Sequence, residues 1–134
     1  MNASLRAAGL CACVLGGAHL TWMVVLTHPE KIRAAAISCG NFVGRCIDKV
    51  SEAPRRAVLP VRAFQGEDDE HRAALEGQFQ KARQLAEAHG YRNISLEVVR
   101  GAGHVPLAAE SLAYFDSLRR AARVPVKPDP ELAR

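Results

Sequence analysis

The sequence is poor in aromatic residues: they make up 5% of it, with one Trp, two Tyr and four Phe. A surface that stacks bases needs several such rings side by side, so no platform for nucleic acid is evident. An excess of charge of one sign is also missing. The formal net charge of +4 is mild, and the basic pairs Arg55-Arg56 and Arg119-Arg120 read as solvated faces rather than a phosphate-binding stripe. Nucleic acid is therefore not an expected partner. The four cysteines lack the usual zinc spacing. Cys11 and Cys13 form C-x-C rather than C-x-x-C, and six residues lie between Cys39 and Cys46. Buried free thiols fit this pattern better than a metal site, so no metal and no cofactor are expected, and free thiols suit a reducing cytoplasm. Internal repeats and low-complexity segments are absent. With 134 residues, 49% of them apolar and 24% charged, there is room for one ordinary globular domain and no more.

The amino terminus is where apolar residues accumulate. From Ala7 to Leu26 only His19 and Thr21 break the run. A charged start followed by such a run could export or anchor the protein through residues 7–26, and Leu10-Cys11-Ala12-Cys13 loosely resembles a lipoprotein box. The uninterrupted part, Ala7 to Ala18, is short for a membrane span, and Gly16-Gly17 and His19 interrupt the whole. A buried helix of an α/β domain is the preferred reading, with Gly17 to Thr27 apolar all round and His28-Pro29 as its stop.

Further along, Ile32 to Cys39 reads as a short buried strand ending at Gly40. Residues 41–56 have no clear period and read as a loop with at most one helical turn. Ala57 to Gln65 is the next strand, and Pro60 within it must sit near its beginning or on an edge. Glu70 to His89 is the clearest helix, with Leu75, Phe79, Ala82 and Leu85 at helical spacing and Gly90 as its stop. Asn93 to Val99 alternates like a half-exposed edge strand. Leu107 to Ala122 forms a last helix, with Leu112, Phe115 and Leu118 on its inner stripe. The expected fold is therefore α/β: a partial, three-stranded parallel sheet with crossover helices, in a single domain over residues 1–122, followed by a loose Pro-rich tail over 123–134. So small a sheet leaves an edge open. It predicts self-association through that edge, seen as a concentration-dependent size in solution; a compact monomer across a wide concentration range would count against it.

Two turns carry the chemistry. Gly101-Ala102-Gly103-His104-Val105-Pro106 lies between a strand and a helix, and Gly66-Glu67-Asp68-Asp69 closes the preceding strand. Both fall at carboxyl ends of strands, where open α/β sheets place their sites. An acidic turn and a histidine turn are two parts of a nucleophile–His–acid triad.

In order, Gly-Gly-x-x-Leu-Thr-Trp, His-Pro-Glu, Ala-Ala-Ala-Ile-Ser-Cys-Gly, Leu-Pro-Val, Gly-x-x-Asp and Gly-x-Gly-His resemble the carboxyl-terminal half of an α/β-hydrolase, of the esterase and polyhydroxybutyrate-depolymerase-like kind. The resemblance covers about residues 13 to 120. It implies Asp69 as the triad acid, with Asp68 as the fallback, and His104 as the general base. It also implies a nucleophile in a Gly-x-Ser-x-Gly elbow before the first helix, which falls on Cys13-Val14-Leu15-Gly16-Gly17. Leu15 then occupies the nucleophile position with no atom to activate, and Gly16 is left to offer one oxyanion amide. The strand entering the elbow would have to come from Ala7 to Val14. Cys11 and Cys13 are alternative nucleophiles; Ser38 and Cys39, at the end of the next strand, are remote ones. The favoured expectation is an esterase-like fragment or degenerate homologue that keeps acid and base and is not catalytic alone. An esterase using a cysteine or a partner chain, acting on a small ester-like substrate, stands beside it, as does a small exported or membrane-anchored protein.

Overall fold

Alternation with period two decides the sheet. In Ile32–Ser38 (β2), Ala35 and Ile37 join one buried cluster while Ala34 and Ala36 join another, so both faces of the strand are covered. In the computed structural model, which describes residues 9–14 as backbone and residues 17–123, β2 pairs in parallel with Gly9–Val14 (β1) on one side and with Val61–Gly66 (β3) on the other. Ile94–Val99 (β4) extends β3, again in parallel, giving the order β1-β2-β3-β4. The three expected strands are all present and parallel, and β4 is an edge strand as its alternation implies.

The strand count needs a correction. Gly9–Val14 is a fourth strand, within the apolar run for which a helix is the preferred reading and inside the stretch, Ala7 to Val14, where the resemblance needs a strand; the helix begins at Ala18. A short, fully apolar strand and a segment of buried helix have the same composition, so periodicity cannot separate them. The run from residue 7 to 26 is thus divided between a strand and a ten-residue helix. Among the described residues no helix is long and apolar enough to cross a membrane.

The helices form the outer layers. Ala18–Thr27 (α1) and Arg72–Ala88 (α2) bury Trp22, Val25, Leu26, Phe79, Ala82 and Ala86 on one face of the sheet. Ala108–Arg123 (α3) buries Tyr114 and Phe115 on the other, against Phe64. Leu112, expected on the inner stripe of α3, is 68% exposed. The stripe runs instead through Ser111, Tyr114 and Phe115 with Leu118 half-buried, because each of the two polar residues finds cover. The Ser111 hydroxyl donates to the Leu107 carbonyl at 3.0 Å, and the Tyr114 ring packs on Phe64 beneath the Arg62 guanidinium. Pro60 lies just before β3, and its carbonyl accepts the Ala35 amide at 3.0 Å. Its missing N–H therefore costs the ladder nothing. The loop after β2 holds two short 3₁₀ turns, Gly44–Cys46 and Pro54–Ala57, where at most one was expected.

Candidate active site

β3 and β4 are neighbours and parallel, so the turns that follow them emerge side by side at one end of the sheet. The two turns touch through their backbones. The Asp68 amide donates to the Ala102 carbonyl at 2.9 Å and the Glu67 amide to the Val99 carbonyl at 2.9 Å. The Gly101 amide donates back to the Glu67 carboxylate at 3.0 Å. A Cβ on Gly66 would sit 2.3 Å from the Ala102 oxygen and 2.4 Å from the Gly103 oxygen. The contact thus requires glycine for space. Gly66→Ala is expected to force the Ala102-Gly103 peptide away, at a cost of about 1–3 kcal/mol, and to pull His104 off its partner. Denaturant unfolding together with the imidazole N–H resonance of His104 would measure both effects; a variant that keeps both stability and resonance would refute the packing.

That partner is Asp69. Its Oδ2 accepts from His104 Nδ1 at 2.8 Å and from Gln65 Nε2 at 2.7 Å, and its Oδ1 accepts the His71 amide at 2.7 Å. The Asp69 side chain is fully buried while that of His104 is 32% exposed. An ionised carboxylate only accepts, so Nδ1 carries the hydrogen and Nε2 is left to receive a proton. Burial alone would push the Asp69 pKa up. The His104 hydrogen bond and the His71 amide outweigh it, and the group lies below its ordinary value.

The lowered pKa ties Asp69 to acid stability. As pH falls, the unfolded chain takes up this proton before the folded one does. The contribution of Asp69 is therefore complete above the ordinary aspartate range, about pH 4, and is lost as pH drops through the folded value. Asp69→Asn should thus be less stable than the parent near neutrality and converge with it in acid, in unfolding curves recorded from pH 7 to pH 2. Parallel curves over that range would show that Asp69 carries no such linkage.

The other sequence candidates are distributed as follows. Asp68 is exposed and contributes its backbone amide to the turn contact. The Ser38 hydroxyl is buried 3.2 Å from the Ser111 hydroxyl, a link between β2 and α3. Cys39, expected to be remote, is not. Its Sγ, an Asp69 oxygen and a His104 nitrogen all lie within 4.8 Å of one another. Cys39 is 2% exposed and has φ of 44°, a left-handed conformation rare for a residue with a Cβ. Its thiol lies 3.5 Å from the Val105 carbonyl, next to His104 in the chain. Burial, with the nearby Asp69 charge adding to it, pushes this thiol up, so it is protonated at neutral pH and a poor nucleophile. Sequence reasoning missed Gln65, whose amide holds the acid, and His71, whose ring meets that of His104 edge-on at 5.1 Å. Both lie within four residues of Asp69, which was the available signal.

Leu15 and Gly16 lie outside the described residues, and Cys11 and Cys13 are described only as backbone of β1. Of the elements on either side, β1 ends at Val14 and α1 starts at Ala18. Val14 pairs with Ser38 at the end of β2, on the sheet end that also carries Cys39. A cavity of about 1010 Å³ lies elsewhere. It is lined by Ile32, Ala34, Val58, Leu112 and Phe115, with Ile32 and Ala34 at the start of β2 rather than its end.

No family model matches the sequence, and no curated protein matches it. Solved structures do. SOBER1 of Arabidopsis thaliana superposes with a TM-score of 0.64 at 21% identity, over 85% of this chain and 53% of that one. A carboxylesterase of Bacillus cereus gives 0.62 at 14% identity, over 87% and 51%. A carboxylesterase from Mesorhizobium loti gives 0.57 at 19%, over 82% and 48%. The chain spans about half the length of the solved structures it matches.

Proposed function

The chain has an α/β-hydrolase fold, and on that premise we propose that it corresponds to the carboxyl-terminal half of a carboxylic-ester hydrolase. In this reading Asp69 is the acid and His104 the base, while Leu15 stands at the nucleophile position and leaves the chain inactive alone. The observation that carries it is the 2.8 Å bond between His104 Nδ1 and a fully buried Asp69, at the carboxyl ends of adjacent parallel strands. With a nucleophile present, Asp69 would hold the imidazole in the tautomer that leaves Nε2 basic and would stabilise its protonated form. Nε2 would take the proton of the attacking group. The substrate class is a small ester, and the free thiols Cys39 and Cys46 suit a cytoplasmic setting.

Labelling with an activity probe tests the reading. The unmodified chain is expected to resist both a fluorophosphonate and a cysteine-directed hydrolase probe, and to leave p-nitrophenyl acetate intact. Labelling at Cys11 or Cys13 that His104→Ala abolishes would establish a cysteine hydrolase instead.

A further inference from the structure

The spacing of the four cysteines along the chain argues against a metal, but the fold gathers donors that spacing cannot show. Cys39 follows β2, Asp69 follows β3 and His104 follows β4, and one ligand atom from each lies within 4.8 Å of the others. We infer that these three side chains form a binding site for a thiophilic divalent cation of the zinc type. The donor set is thiolate, carboxylate and imidazole, which zinc accepts in tetrahedral geometry, with a water completing the fourth position.

Bond lengths near 2.0–2.3 Å place tetrahedral donors roughly 3.3–3.7 Å apart. The His104–Asp69 separation of 2.8 Å must therefore widen by about half an ångström, and the longest separation, at most 4.8 Å, must close by about one. His104 lies in a turn with its ring 32% exposed, so it is the ligand able to move and the side from which a cation arrives. Cys39 and Asp69 are buried and held by hydrogen bonds, so they form the fixed part of the site. Binding displaces the thiol proton to solvent, while the imidazole gives up its Nδ1 hydrogen and carries one on Nε2 instead, so that the ring ligates as a neutral group. Thiolate and carboxylate then balance the two charges of the cation, which removes the main cost of burying it. The cation takes the place of the Nδ1 hydrogen, so it parts acid from base. Metal occupancy and the hydrogen-bonded pair exclude one another.

The test is a titration of the reduced, metal-free full chain with Co²⁺, followed by displacement with Zn²⁺ in competition with a chromophoric chelator. The expected result is one site per chain with a thiolate-to-cobalt charge-transfer absorption. Cys39→Ser should abolish that absorption, and His104→Gln should weaken zinc binding on the order of a hundredfold. Cys46→Ser and the double variant Cys11→Ser/Cys13→Ser should leave both unchanged. Circular dichroism reports whether each variant is folded, and His104→Gln, at the exposed side of the site, decides the matter if Cys39→Ser does not fold. An absorption that survives His104→Gln at full affinity, or that disappears with Cys11 and Cys13, would overturn the site. Neither outcome bears on whether the chain descends from an ester hydrolase.

Discussion

A Leu15→Ser chain is expected to hydrolyse a small activated ester barely or not at all on its own, and to gain at least about a hundredfold when an amino-terminal half of a related esterase is co-expressed. On the proposed reading the substitution supplies the hydroxyl that the nucleophile position lacks, and His104, held through Nδ1 by Asp69, would deprotonate it through Nε2. What it does not supply is the second oxyanion donor. In the hydrolases that this sequence resembles, that donor comes from a loop after an earlier strand, and the Gly16 amide alone would face the oxyanion. One missing donor costs about 2.7–4 kcal/mol, a factor of roughly 10²–10³ in rate. An elbow held 1 Å out of place can add on the order of another hundredfold. Co-expression should restore the donor and the neighbouring strands together, so the rescue should be steep. The unmodified chain should stay silent with or without the added half, because leucine offers nothing to activate. Hydrolysis of p-nitrophenyl acetate by the four combinations, each repeated with His104→Ala, measures this. If the unmodified chain alone hydrolyses the ester and His104→Ala stops it, position 15 is wrongly assigned, and Cys11 and Cys13 become the next residues to mutate.

Trp22→Ala is expected to cost about 3–5 kcal/mol of stability. Trp22 is 1% exposed and sits where α1, α2 and the loop after β2 converge, with ring centroids 6.0 Å from Phe42 and 6.2 Å from Phe79. These are edge-on and tilted arrangements, worth something beyond the buried area. Truncation leaves a void lined by rings that cannot collapse far, since Phe42 is fixed by its amide, which donates to Gln78 Oε1 at 2.8 Å. Leu112→Ala provides the contrast. At 68% exposed, Leu112 should change stability by no more than about 0.5 kcal/mol, although the sequence pattern places it on the inner stripe of α3. Urea unfolding followed by far-ultraviolet circular dichroism reads both variants. A loss below about 1 kcal/mol for Trp22→Ala would mean that α1 does not pack as described.

The contrast between Trp22 and Leu112 shows which parts of the fold are legible in the sequence. β2, β3, β4 and α2 are readable because their patterns are local: alternation in Ile94–Val99, helical spacing at Leu75, Phe79 and Ala82, and a glycine at or within two residues of each end. The turns bearing Asp69 and His104 are readable for the same reason. β1 is not readable from pattern, because Gly9–Val14 merges with α1 into one apolar run and carries no polar residue to mark a period; only the resemblance, whose elbow needs a strand from Ala7 to Val14, points to it. Nor is the inner stripe of α3, where Ser111 and Tyr114 are buried by partners elsewhere in the chain. The proximity of Cys39 to the acid is a matter of cross-strand register, with Ser38 opposite Phe64, and no local pattern encodes that.

Each strand of the sheet lies beside the one that precedes it in the chain. A chain emerging from the ribosome can therefore extend the sheet in the order in which it is made, and the turn with Asp69 is finished well before the turn with His104. The interval is 35 residues, or roughly 2–7 s at translation rates of about 5–20 residues per second. During that time Asp69 need not wait unpaired. Gln65 and the His71 amide, four residues before it and two after, are already in the chain and supply two of its three donors. The carboxylate is thus oriented from its own neighbourhood, and the imidazole, arriving last, docks on an acceptor already in position.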